Sequence, residues 1–162
     1  MPLLREGGIV DDPWQVAADE ADLTADAPLL VNLELWRRFR PRLLASDSPL
    51  GLSLASDQPP ELVANDLDRF ALIALEFPKF TDGRPYSYAR LLRQRHGFRG
   101  ELRARGNVLR DQLANLHRCG FDSFEVPDEA ITACWLEAFT EISVVYQPAA
   151  DGAASAPLRR RL

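Results

Sequence analysis

The chain has little from which to build a redox centre or a metal site. Only two cysteines and two histidines occur among its 162 residues. Neither pair has the spacing of a zinc, iron–sulfur or CxxC motif. Cys119 and Cys134 fall at the end of one predicted helix and inside another, where an unpaired cysteine acts as a small hydrophobe. His96 and His117 each lie in a predicted last helical turn, where a cation suits the dipole. There is no GxGxxG and no P-loop. Long apolar runs are also missing. The longest, Phe70 to Leu75, is far short of the ~20 residues that cross a bilayer, so no membrane association is expected. The amino terminus MPLLREGGIVDD lacks an apolar signal-like core. With reduced thiols, the expected location is cytoplasmic. A pI near 5.1 argues against general nucleic-acid binding. Lysine is almost absent: Lys79 accompanies eighteen arginines.

The charge that is present is unevenly distributed. Residues 79–118 hold ten Lys or Arg against three acids, a local charge of +7, while residues 1–78 sum to −8 and 119–162 to −4. A basic island in an acidic chain suits an anionic ligand or an acidic partner. With 46% hydrophobic residues, the length suits one globular domain. We assign that domain to residues 1–147. Within it, residues 1–27 form an acidic segment in which Ile9–Val10 and Trp14–Val16 could pair as a small hairpin. Residues 148–162 read as a flexible tail.

From about residue 28, short apolar runs alternate with helical periodicity, the pattern of consecutive βα units. Strands are expected at Leu29–Asn32, Leu50–Ala55, Phe70–Phe77, Glu101–Arg105 and Phe121–Val126, with an edge strand at Val144–Tyr146. Helices are expected at Leu35–Ala45, with a kink at Pro41, at Pro60–Asn65, after an N-cap at Ser87, after a cap at Asn107, and at Asp128–Glu141. Leu109, Leu113 and Leu116 share one face of the fourth. The expected fold is α/β, with about five parallel strands in a three-layer sandwich. The alternative is an incomplete β/α barrel, because Glu101, Arg103 and Arg105 project to one side of their strand.

Parallel α/β folds bind ligands at the carboxyl ends of their strands. Applied to the basic island, that rule collects Lys79, Arg84, Arg103, Arg105, Asn107 and Arg110 as anion-binding candidates. The Arg105–Gly106–Asn107 turn is expected to offer free N–H groups at a helix start. Glu76, Thr81, Asp82, Tyr86 and Glu125 are the accompanying loop and supporting candidates. The structural alternative is that Asn107 merely caps and the arginines pair with Glu76, Glu101 or Glu125. No catalytic residues and no metal ligands stand out.

The motifs FPKFTDGRPYS, GFRGELRARGNVLRDQL and RCGFDSFEV resemble the core of an uncharacterised bacterial family. It is labelled as oxidoreductases of sulfite reduction and encoded beside sulfite or nitrite reductase genes. The resemblance is close over residues 50–126 and looser before them. It implies a pathway and supplies no catalytic residues. No cofactor motif accompanies the label, although a flavin held without one in a flavodoxin-like sheet stays open. The expectation is therefore an accessory protein of assimilatory sulfite or sulfate reduction. It would bind a small oxyanion, or an acidic partner such as sulfite reductase or another sulfate-assimilation protein. An enzyme acting on a small anionic substrate is the alternative, then a redox protein. Self-association is left open.

Overall fold

Six strands lie parallel in one sheet in the order in which they occur along the chain. They are β3 (Gln15–Val16), β4 (Leu29–Asn32), β5 (Leu50–Leu54), β6 (Leu72–Phe77), β7 (Glu101–Gly106) and β8 (Ser123–Glu125). A hairpin of β1 (Leu3–Arg5) and β2 (Gly8–Val10) extends the sheet beyond β8, with β1 antiparallel to β8. The computed structural model describes residues 2–5, 8–23, 27–127, 133–139, 141 and 149–150. Among them, no helix is long and apolar enough to cross a membrane.

Because the strand order never reverses, right-handed crossovers deliver every connecting helix to the same face. α1 (Leu33–Leu44), a 3-10 helix at Pro60–Arg69, α2 (Arg84–Arg90) and α3 (Leu113–Cys119) follow that rule, and α4 (Ala133–Glu137), after the last strand, packs into the same core. Trp36, Val63, Ala89, Leu113, Leu116 and Trp135 from these helices join one core with Leu52, Leu54, Ile73, Leu75, Phe77, Leu102 and Phe124 from the sheet. The expected three-layer sandwich is thus replaced by a mixed α/β fold whose eight strands curl into a half-barrel. A second helix layer would require a reversal of strand order that the chain does not make.

Among the described residues, the other face is crossed by four residues, 11–14, which run from β2 at one edge of the sheet to β3 at the other. Eight strands laid flat would separate those edges by about 34 Å. The five steps from Val10 to Gln15 reach about 17 Å. The sheet must therefore curl toward this strap, which makes the strap side concave. Trp14 packs there against Leu30, Leu72 and Ala74. Gly51 leaves room for its ring: a Cβ on Gly51 would stand 3.1 Å from the Trp14 indole.

Several local expectations change. Ile9–Val10 pairs with Leu3–Leu4, and Gln15–Val16 lies parallel to Leu29–Leu30, so these two segments do not form a hairpin together. α2 begins at Arg84, with Pro85 in its first turn, so Ser87 is helical rather than a cap. It passes into a π turn over Leu91–Arg95, and Gly97 then takes φ +66°. α1 includes the non-helical Phe39 just before Pro41. Asn107 caps no helix. α3 starts at Leu113 after a 3-10 turn at Arg110–Gln112, and Leu109 precedes both in an extended conformation with its side chain exposed. The proposed edge strand at Val144–Tyr146 and residues 151–162 lie outside the described residues. Ala150 donates its N–H to the Arg118 carbonyl at 2.9 Å.

Candidate functional site

The parallel strands end their carboxyl side in a cleft of about 700 Å³ on the concave face. Asn32 ends β4, Ser53 is next to last in β5, Glu76 is next to last in β6, and Arg105 and Gly106 end β7. All line the cleft, with Asn107 following and Val16 to Ala18 forming a wall. Side chains alternate along a strand. Ser53, Glu76 and Arg105 therefore face the cleft, while Leu54, Phe77 and Ala104 enter the helix-covered core.

Glu76 and Arg105 are register partners on adjacent strands, yet they form no ion pair within 4 Å. Each is drawn away from the other. Ser53 Oγ, from β5, donates to Glu76 Oε1 at 2.7 Å. On the opposite side, Arg105 Nε lies 3.2 Å from Glu125 Oε2 on β8. The two terminal nitrogens of Arg105 have no partner among the described residues. Asn32 uses Oδ1 to cap α1, accepting from Leu35 N–H at 2.8 Å.

Arg103 is two residues earlier on the same strand and fully buried. Its guanidinium makes two bonds to Asp12 of the strap, at 2.7 and 3.1 Å, and two to Glu101 Oε1, at 3.1 and 3.0 Å. Glu125 Oε1 lies 3.6 Å away. Burial works against the charge of Arg103, but its bonds and attraction to Asp12 and Glu101 outweigh it, so its pKa is raised. Glu125 is shifted upward, chiefly by burial, although Arg105 and Arg103 pull the other way. Ser123 Oγ donates to Glu101 Oε1 at 2.6 Å. This layer fastens the strap to the sheet and leaves Arg103 no free donor face for a ligand.

The structure disperses several candidates. Arg84 is clamped to Asp82 (2.6 Å) and bonded to Ser56 Oγ (2.8 Å); its hydrogen bond holds the Asp82 carboxyl well below the usual carboxylate range. Tyr86 packs edge-on against Phe77 in the helix-side core, ring centroids 5.4 Å apart. Burial pushes its phenol up to about 12. Arg110 pairs with Glu141 instead of pointing at the cleft. Lys79 and Thr81 are exposed on the loop after β6. The anticipated N–H nest is absent as well. Asn107 N–H donates to the Phe77 carbonyl at 2.8 Å, and Val108 N–H to Gly106 at 2.9 Å. Gly106, at φ +96°, brings that carbonyl to 2.6 Å from where a Cβ would stand.

Glu76, Arg105 and Asn107 are therefore the expected residues that meet in the cleft, and Glu125 supports Arg105 from behind. Asn32 and Ser53 were missed. They occupy the carboxyl ends of β4 and β5, where the strand-end rule applied equally. Among the described residues, no group of His, Cys, Asp or Glu is arranged to hold a metal ion.

The free positive charge lies elsewhere. Lys79, Arg90, Arg95 and Arg99 are exposed and have no ion pair among the described residues, whereas Arg84, Arg93, Arg103, Arg105 and Arg110 are each paired to a carboxylate.

No curated protein and no solved structure gives a significant match to this chain. A family of bacterial proteins of unknown function, designated DUF934, matches residues 51–157, which span β5 to β8, Glu76 and the Arg105 turn. The match covers most of the chain, which belongs to this bacterial family.

Proposed function

We propose that this protein is an accessory component of assimilatory sulfite or sulfate reduction. In this role it binds a small molecule bearing an oxyanion group at the mouth of the half-barrel. Arg105 is the observation that carries the ligand. It is anchored through Nε to Glu125, with its remaining donors free beside the cleft. Such a guanidinium is pre-organised to receive an oxyanion through two parallel N–H bonds. A cleft of about 700 Å³ lies within the range usual for small-molecule sites. The pathway is suggested by the resemblance of Phe77–Ser87, Gly97–Leu113 and Arg118–Val126 to the family associated with sulfite reduction.

Sulfate or sulfite should raise the melting temperature more than chloride at equal ionic strength, by mass action on the folded state. Arg105→Gln should lose that increment, measured from its own melting temperature, and Arg90→Gln should keep it. Equal shifts from all three salts in the wild type would reject a specific site.

An acidic partner would meet Arg90 at the end of α2, Arg95 at the end of the π turn and Arg99 in the loop that follows. Such docking weakens as added salt shortens the Debye length to ~8 Å and below. Pull-downs from native lysate should recover a sulfur-assimilation protein at low salt. The triple Arg→Gln variant at these positions should recover less of it. Recovery of none at either salt counts against the partnership.

A further inference from the structure

The cleft holds two opposite charges on neighbouring strands that do not neutralise one another. In a polar cleft, a glutamate and an arginine at matched register would ordinarily close into a salt bridge. Here the two outer strands prevent closure. Ser53 of β5 fixes one oxygen of Glu76, and Glu125 of β8 fixes Nε of Arg105. Glu76 Oε2 and the terminal nitrogens of Arg105 are left with no partner among the described residues, and both side chains line the cleft. No other cation lies within ion-pair distance of Glu76 among those residues.

We propose that the ligand is a small zwitterion of the amino-acid type, whose anionic group lies on Arg105 and whose ammonium lies on Glu76. The inference rests on the oxyanion site proposed above and adds the ligand's second charge. A simple dianion such as sulfate would satisfy Arg105 but face the carboxylate of Glu76 at close range, where like charges repel. A zwitterion satisfies both ends, and Asn32 and Asn107, on the same lining, can bond its polar substituents. The separation imposed by Ser53 and Glu125 is then the space that the ligand's backbone occupies.

Calorimetric titration with glycine, taurine, acetate, sulfate and methylammonium tests this, with an equimolar acetate–methylammonium mixture as the control for two unlinked charges. Glycine or taurine should bind at least tenfold more tightly than acetate or the mixture. Glu76→Gln should reduce that preference to near unity, and acetate should bind no more weakly than to the wild type, because the repelling carboxylate is gone. If Glu76→Gln does not fold, the wild-type series decides alone, because only a joined pair of charges outperforms the mixture. Sulfate and acetate binding as tightly as the zwitterions overturns this inference and leaves the oxyanion site intact. Absence of binding by every probe overturns both.

Discussion

Replacing Arg103 with methionine should destabilise the protein by about 3–5 kcal/mol at neutral pH, the cost of removing one partner from a buried charge cluster. Asp12, Glu101 and Glu125 would be left around an apolar side chain, with Arg105 reaching Glu125 and Arg5 reaching Glu101 at 3.6 Å. The loss should depend on pH with a definite sign. Glu125 already has a raised pKa in the folded protein, and removing Arg103 raises it further. A carboxyl raised on folding contributes stability that is fully present below its unfolded pKa, about 4.3. That contribution is lost as pH rises through the folded value. The deficit relative to wild type should therefore be smallest in mild acid and largest at neutral pH and above. Denaturant titrations of both proteins across that range measure it. Adding Glu125→Gln to Arg103→Met should recover part of the loss. A pH-independent deficit below about 1 kcal/mol would show that the cluster does not hold the strap.

Leu113→Ala should cost about 2–5 kcal/mol, since the side chain is completely buried between α3 and the sheet. Leu109→Ala should stay within about 0.5 kcal/mol, because Leu109 is 39% exposed. Urea midpoints with unchanged slopes would separate the two. Equal effects would mean that α3 extends back to Leu109, as its leucine spacing suggested. Leu113→Ala should leave the zwitterion preference of its folded fraction intact, because α3 packs on the face opposite the cleft.

What could be seen in the residues depended on how local the cause was. FALIALEF declares a strand covered on both faces, and Leu72–Phe77 is one. Gly120 ends α3 at φ +107°, as a glycine after a leucine-rich helix should. The amino-terminal pairing was not local. Ile9 meets Leu4, and Leu4 meets Phe124, and no periodicity near residue 10 carries that information. The curl was only partly visible. Charged residues at alternate positions of β7 marked one face as unlike a helix-covered layer, but the decisive fact is that strand order never reverses. In the cleft, Glu76 and Arg105 followed from the strand-end rule. Arg103 obeyed the same parity but lies one layer deeper, and its partner Asp12 is 91 residues away in sequence. Helix starts were least legible. The N–H groups after Arg105 continue the pairing with β6 and close a tight turn on Gly106 instead of opening a helix.

The strap acts on the sheet as a bowstring acts on a bow. Its contour length, not the strands it joins, sets how far the two limbs are drawn together, and the gap between Glu76 and Arg105 lies on the bent part. An extra residue between Val10 and Gln15 would slacken the string and splay the limbs without touching any residue of the mouth. The dimensions of the pocket are thus written partly in four residues near the amino terminus, which lies outside the segment that the family shares.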